Sequence, residues 1–349
     1  MMIEKPPYTI TEKAADYLAK IVETVTRLEF GTGFKHDIRL HRENRVRTIH
    51  SSLAIEGNSL SLDEVAAVIE GRVVAGRQTE VKEVKNAYEA YDRIMMFDPY
   101  AVGDFLEAHK LMTGGLVKEY GRFRNGDIGV FDGGVVVHIG ARPQFVPQLV
   151  YELFEWARES ELHPVLKSAI LHYEIETIHP FMDGNGRIGR LWQTFLLAKW
   201  NAIFAWVPIE SALYQNRPQY YKAIEHARKA NDSGVFIEFT LSALLDVLSA
   251  QEKLQVELDV AVIKSPESKN LADKLPINVA DKLTVAEAEF AKLLEPCLKE
   301  HEWTSNAEAR EVTGKAEGSV KRFLRNLADK GVLEARGENK SRQYRLRKK

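Results

Sequence analysis

Twelve consecutive residues constrain this chain more than any other stretch: His179-Pro180-Phe181-Met182-Asp183-Gly184-Asn185-Gly186-Arg187-Ile188-Gly189-Arg190. The residues before it place Leu166, Ile170, Tyr173 and Thr177 at helical spacing, with Pro164 at a favoured first position. A helix over 164–178 therefore runs into a glycine-bearing loop, and a second helix, Arg187 to Trp200, leaves it. An imidazole, a carboxylate, two flexible glycines and two arginines are compressed into that turn. This is the inventory needed to hold a nucleoside triphosphate and deprotonate a hydroxyl beside it.

Two other phosphate motifs can be set against the loop. Gly184-x-Gly186-x-x-Gly189 satisfies the dinucleotide fingerprint, but that fingerprint needs a buried strand before it and a run of alternating strands and helices, and neither is legible. A Walker loop would end in Gly-Lys-Ser/Thr, which is absent here. The remaining reading uses every residue. His179, with an ordinary pKa of about 6.5, can accept a hydroxyl proton at neutral pH. Asp183 offers one hard oxygen to Mg²⁺, which takes phosphate and water for the rest. Asn185 and the amides of Gly184 and Gly186 can form an anion nest at the helix start. Arg187 and Arg190, three apart on one helical face, can grip outer phosphates. Phe181 reads as core beneath the loop. The bland alternative is a capped helix junction carrying surface charges.

A second anomaly lies upstream in Ser52-Leu53-Ala54-Ile55-Glu56-Gly57-Asn58. Gly57 reads as a helix terminator, which leaves Glu56 at the negative end of the helix dipole. A carboxylate there is disfavoured by about 0.3–1 kcal/mol, so a cation should offset it. Ser52 lies one turn earlier on the same face.

The dozen resembles the core motif of the Fic family, H-P-F-x-D-G-N-G-R-x-x-R, with every fixed letter present. Ser52 to Gly57 resembles the family's inhibitory motif, Ser/Thr-x-x-x-Glu-Gly/Asn, in the subclass that carries it before the core. The resemblance spans roughly Leu40 to Leu245. It implies a protein adenylyltransferase: a target's Ser, Thr or Tyr hydroxyl attacks the α-phosphate of ATP with Mg²⁺, and pyrophosphate leaves. It also implies that Glu56 pairs with Arg190 and withholds it from the γ-phosphate. Tyr220 and Tyr221 resemble the aromatic pair of the adenine pocket, one of the two being core. Val130 and His138 resemble positions flanking the nucleotide in the family's flap, where a target segment docks. A homodimer is consistent with the family. The alternative function is a DNA-binding regulator whose Fic-like domain senses nucleotide or removes AMP; an intact His179 favours transfer.

The fold expected is mostly α: a Fic-type helical core with a β-hairpin flap, plus a C-terminal winged helix-turn-helix domain. Helices are expected from Thr11 through Leu28, Leu40 to Ile55, Ser61 to Ile69 behind a Ser61/Glu64 capping box, and Glu80 to Met96 with Val81, Val84, Tyr88 and Tyr91 on one stripe. Ile128 to Phe131 against Val135 to Ile139, around Asp132-Gly133-Gly134, reads as a hairpin. Helices are again expected over Val146 to Ser160, Arg217 to Ala230 and Val235 to about Val262, before a polar linker at 264–270. Thr284 to Leu298, Asn306 to Val312 and Ser319 to Lys330 read as helices, the last stopped by Gly331, and Val332 to Ala335 and Arg342 to Leu346 as strands. The domains read as 1–98 (N-terminal helices with the inhibitory segment), 99–246 (catalytic), 247–283 (helix and linker) and 284–349 (winged helix).

Charge and composition limit the partners. A net charge of −2 argues against a chain built to coat nucleic acid or membrane. The tail from His301 to Lys349 differs, with thirteen Lys/Arg and seven Asp/Glu. Its basic residues fall on the last helix (Lys321, Arg322, Arg325) and the hairpin (Arg336, Lys340, Arg342, Arg345, Arg347), a pattern suited to DNA or to an acidic protein surface. A single cysteine, Cys297, excludes a disulfide framework and a thiolate-rich zinc site. With no apolar leader evident and no uninterrupted apolar run of about 18 residues, a cytoplasmic protein without membrane contact is expected.

Overall fold

Proline and glycine punctuate this chain where helices must start and stop, and the helices follow. The computed structural model describes residues 5–30, 38–75, 77–132, 135–264, 290–291, 293–294, 297–298, 303–315, 317–337 and 342–347. The chain divides into two units, Met1–Leu258 and Asp259–Lys349.

The first unit is built around α7 (Pro164–Ile178) and α8 (Asn185–Trp200). Both are apolar on nearly every face and almost wholly buried, as core helices are. Phe105, Phe154 and Phe181 gather within 5.1–5.2 Å centroid separations, and Trp192 packs edge-on to Phe105. Phe181 is thus core, as its place in the loop suggested. α8 starts two residues before the expected Arg187, because Gly184 takes the left-handed N-cap (φ 89°) and Asn185 is already helical.

Helices α1 (Glu12–Phe30), α2 (Ile38–Ile55), α3 (Leu62–Ile69) and α4 (Gln78–Arg93) pack into the same hydrophobic core as α7 and α8. Thr11 Oγ1 accepts the Ala14 amide at the start of α1 (3.1 Å), and Ser61 with Glu64 forms the expected reciprocal cap of α3. The stripe expected on α4 is corrected: Val84 and Tyr91 are buried, but with Glu80, Ala87 and Ala90, while Tyr88 is exposed. At 3.6 residues per turn the buried arc centres on Glu80, Val84, Ala87 and Tyr91, and Tyr88 falls at its edge.

Helix α5 (Val102–Thr113) was not legible in the sequence, because its buried face carries His109 and Thr113 among the apolar residues and blurs the period. Strands β1 (Gly129–Asp132) and β2 (Val135–Ile139) pair antiparallel, Val130 opposite His138, with a bulge between Val130 and Phe131. Gly133 and Gly134 of the expected turn lie outside the described residues. Helices α6 (Val146–Glu159), α9 (Ile209–Gln215), α10 (Arg217–Ala230) and α11 (Gly234–Lys264) complete the elements. The 21 residues Gly234–Leu254 are long and apolar enough to cross a membrane (mean hydropathy 1.3), and half of that window is buried within the fold.

In the second unit α12 (Asn306–Thr313) opens on a Ser305/Glu308 capping box, and α13 (Glu317–Asp329) is followed by Gly331 at φ 78°. Strands β3 (Thr304–Ser305), β4 (Leu333–Arg336) and β5 (Gln343–Leu346) form an antiparallel sheet in the order β3-β5-β4. β3 is a two-residue strand that no periodicity could reveal. Phe290, Leu294, Val320, Leu324, Leu327, Leu333 and Tyr344 fill the core beside the buried thiol of Cys297. Lys340, residues 265–270 of the expected linker and parts of the expected 284–298 helix lie outside the described residues.

Candidate active site

His179 ends α7 in the left-handed region (φ 54°, ψ 62°), a conformation that costs a non-glycine residue about 1–3 kcal/mol and needs support. Arg124 supplies it. Its Nε donates to the His179 carbonyl at 2.7 Å, its other nitrogens reach the carbonyls of Gly126, Ala141 and Ile178, and its amide donates to the Pro180 carbonyl at 3.0 Å. One buried guanidinium thus caps the negative end of α7 and ties it to the base of the hairpin. His179 Nδ1 lies 3.3 Å from the Glu176 carbonyl.

The loop after His179 is folded by its own side chains. Asn185 is buried, with Oδ1 accepting the Phe181 amide and Nδ2 donating to the Phe181 carbonyl, both at 2.8 Å. These two bonds fold the loop, and the backbone amide of Asn185 lies at the first turn of α8. His109 braces the loop from α5. Its ring stacks on Phe181 at 3.6 Å, Nδ1 accepts the Gly121 amide (3.0 Å) and Nε2 meets the Asp183 carbonyl (2.9 Å). With Nδ1 accepting, Nε2 carries the proton and the ring is neutral. Burial first, and then the charge of Arg187, hold its pKa down at about 4 against the opposing pull of Asp183.

Asp183 is largely exposed; its Oδ1 accepts the Gly184 amide (2.6 Å) and Arg187 Nη2 (2.9 Å). Arg187 Nη1 also lies 3.4 Å from Glu83 on α4. A side chain at Gly184 would strike Thr113 Cγ2 at 2.7 Å, and one at Gly186 would run into the Glu56 carboxylate. Both glycines therefore stand where backbone must approach closely.

Arg190 is the most enclosed charge of the group, 1% exposed, and α2 lies against it. Its Nη2 donates to Glu56 Oε1 at 2.7 Å and to the Ser52 carbonyl at 2.9 Å, while Nε reaches Ser52 Oγ at 3.3 Å. Burial opposes the charge of Arg190, but Glu56, then Tyr220 and Glu176, outweigh it and raise its pKa. Glu56 sits one residue past α2, with Gly57 at φ 95° turning the chain away. The cation that its position at a helix C-terminus required is thus Arg190. Glu176, one turn before His179, is held below the usual carboxylate range. Burial alone would raise it, but the hydrogen bond and charge of His172, followed by His179 and Arg190, prevail.

The two tyrosines part as adjacent helical residues must. Tyr220 is buried, its hydroxyl 3.0 Å from His172 Nε2 and 3.4 Å from Glu176 Oε1, whereas Tyr221 is exposed with its hydroxyl 3.5 Å from the Ile55 carbonyl. Val130 and His138 are backbone partners in the hairpin register. His109, Arg124 and Glu83 went unnoticed in the sequence. Each acts through folding distant in the chain, and no local spacing marks it.

Residues 99–197 match the model of the Fic/DOC family. A crystal structure of a Fic family protein from Desulfovibrio desulfuricans G20 is 33% identical and covers 99% of both chains, with a TM-score of 0.69. This chain belongs to the Fic family. Among curated relatives, protein adenylyltransferase fic-1 of Caenorhabditis elegans is 26% identical over 220 residues, 58% of this chain and 40% of that protein. Protein adenylyltransferase Fic of Nematostella vectensis is 29% identical over 212 residues, 58% of this chain and 47% of that protein. The chain spans less than half the length of either relative.

Proposed function

We propose that this chain is a protein adenylyltransferase, transferring AMP from ATP to a Ser, Thr or Tyr hydroxyl of a target protein or of itself, and restrained by Glu56. The observation that carries the reading is the convergence of His179, the amide end of α8, Asp183, Arg187 and Arg190 on one braced loop, in a chain whose relatives are named adenylyltransferases. His179 takes the hydroxyl proton as the oxygen bonds to the α-phosphorus. The bond from that phosphorus to the bridging oxygen breaks, and pyrophosphate departs with the electron pair. Gly184, Gly186 and the Asn185 amide receive the phosphates at the positive end of α8, with Arg187 and Arg190 at the outer ones. Tyr221 is the member of the tyrosine pair open to an adenine.

Magnesium fits the donor set as a nucleotide-borne ion. Asp183 offers an accessible carboxylate, and no cluster of three or more His, Cys, Asp or Glu side chains occurs among the described residues, so phosphate and water would supply the other ligands. Bound there, it would neutralise phosphate charge. The pairing of Arg190 with Glu56 supports an autoinhibited resting state, since the guanidinium meant for a phosphate is held by a carboxylate.

Incubating the Glu56→Gly form with α-labelled ATP, Mg²⁺ and candidate proteins tests the reading; label on discrete bands is expected. His179→Ala in that background should abolish labelling and keep ATP binding. Labelling that survives would remove the base from the mechanism.

The finer assignments belong to the same reading. The hairpin β1–β2 serves as a flap, its edge pairing with an extended target segment, Val130 and His138 flanking the nucleotide. The order β3-α12-α13-β4-β5 supports a winged-helix reading of the second unit; Lys321, Arg322 and Arg325 are exposed on α13, and Arg336 and Arg345 each approach the Trp303 ring, at 4.0 and 4.6 Å. That face suits duplex DNA, with an acidic protein surface as the alternative; salt-dependent duplex binding lost on Arg322→Glu selects the first. A cytoplasmic location, where ATP is abundant, and a homodimer complete the proposal.

A further inference from the structure

Arg187 is held from two sides by two carboxylates of different character. Asp183 belongs to the loop and is 59% exposed, whereas Glu83 comes from α4 and is 26% exposed. Glu83 is itself anchored: its Oε2 accepts Asn58 Nδ2 at 2.7 Å. Asn58 is fixed in turn, its Oδ1 accepting the Leu60 amide and its own amide donating to the Leu53 carbonyl, each at 3.1 Å. Ser59 donates through both its amide and its hydroxyl to Glu80 Oε1 on the same helix. Glu83 is thus the fixed partner and Asp183 the one solvent can reach. Arg187 keeps a third donor, Nε, buried and without a hydrogen-bond partner among the described residues.

A magnesium ion at Asp183 would change this balance, because a cation and a guanidinium cannot both lean on one carboxylate without mutual repulsion. Arg187 would then lose its Asp183 contact at the moment it must face phosphate. We propose that Glu83 is a positioning residue of the phosphate site: it holds Arg187 in the cradle from the α4 side when the metal–nucleotide takes Asp183. This rests on the reading of Asp183 and Arg187 given above. Glu83 touches no substrate and acts through Arg187. The neutral isostere separates its charge from its shape, since Glu83→Gln retains an oxygen for Asn58 and loses the anion that Arg187 needs.

The test uses the full chain with Glu56→Gly, with and without Glu83→Gln, and measures ATP affinity calorimetrically in Mg²⁺ and in EDTA. In EDTA, Asp183 still holds Arg187 and the two chains should bind ATP alike. In Mg²⁺ the Gln variant should bind roughly three- to tenfold more weakly, the size of one ordinary hydrogen bond, as suits the long 3.4 Å contact. An equal loss in both conditions would make Glu83 a general structural support and overturn the proposal. Unchanged or tighter binding in Mg²⁺ would also overturn it, because Glu83 would then merely compete with phosphate for Arg187. ATP binding by the parental Glu56→Gly chain is read separately from transfer. A parent that binds ATP but labels no protein would refute the adenylyltransferase reading while leaving the Glu83 comparison intact.

Discussion

Replacing Glu56 with glycine removes the one carboxylate in direct contact with Arg190 among the described residues, and the structure sets the size of the effect. The guanidinium is 1% exposed and the carboxylate 37%. Breaking a fully buried pair costs about 3–5 kcal/mol. This pair is open on the Glu56 side, and Arg190 keeps the Ser52 carbonyl and the nearby charge of Glu176. The expected loss of stability is therefore smaller, about 1–2 kcal/mol. In a unit of this size each kcal/mol moves the melting midpoint by roughly 2–4 °C. The guanidinium released from Glu56 should then receive a phosphate. ATP at about one hundred times its Kd adds about 2.7 kcal/mol by mass action, which more than offsets the loss. In the wild-type chain part of that binding energy should be spent displacing Glu56. Thermal unfolding of both proteins across an ATP series measures both terms. Glu56→Gly should melt lower without nucleotide and gain more with it. Equal ATP-induced gains in the two chains would refute the idea that Glu56 and ATP compete for Arg190.

Two further outcomes are expected. The neutral ring of His109 has a folded pKa of about 4 against an ordinary value of 6.5, so the unfolded chain binds the extra proton between these values. Stability supplied by this group is complete above about pH 6.5 and falls by about 3 kcal/mol as pH drops to 4; urea titrations from pH 7 to 4 should show this acid slope flattened in His109→Gln. Gly186→Ala would place a methyl on the Glu56 carboxylate and 3.0 Å from Arg190 Nη1. It should break the pair as Glu56→Gly does yet weaken ATP binding, and transfer that rises to the Glu56→Gly level would show that the cradle has room there.

Much of the site was legible because it is local. His179 to Arg190 is one loop, and its spacing on two flanking helices already limits where an imidazole, a carboxylate and two guanidinium groups can point. Helix boundaries were legible for the same reason: Pro164, the Ser61/Glu64 box and Gly331 act within a turn of their own position. The part Asn185 plays in folding its own loop was not legible, because a side chain that folds a loop and one that lines it have the same sequence signature.

The sequence by itself therefore determined a helical Fic-family chain, the loop that carries its chemistry, and an upstream glutamate in need of a cation. Only the tertiary structure decided which groups support them. Arg124 reaches back to the carbonyl of His179, 55 residues on, His109 stacks under the loop from 72 residues before Phe181, and Glu83 meets Arg187 across 104 residues. Such contacts depend on which helix faces lie together once apolar surface has been buried. Hydrophobic burial is non-directional, so no single stretch of chain specifies them.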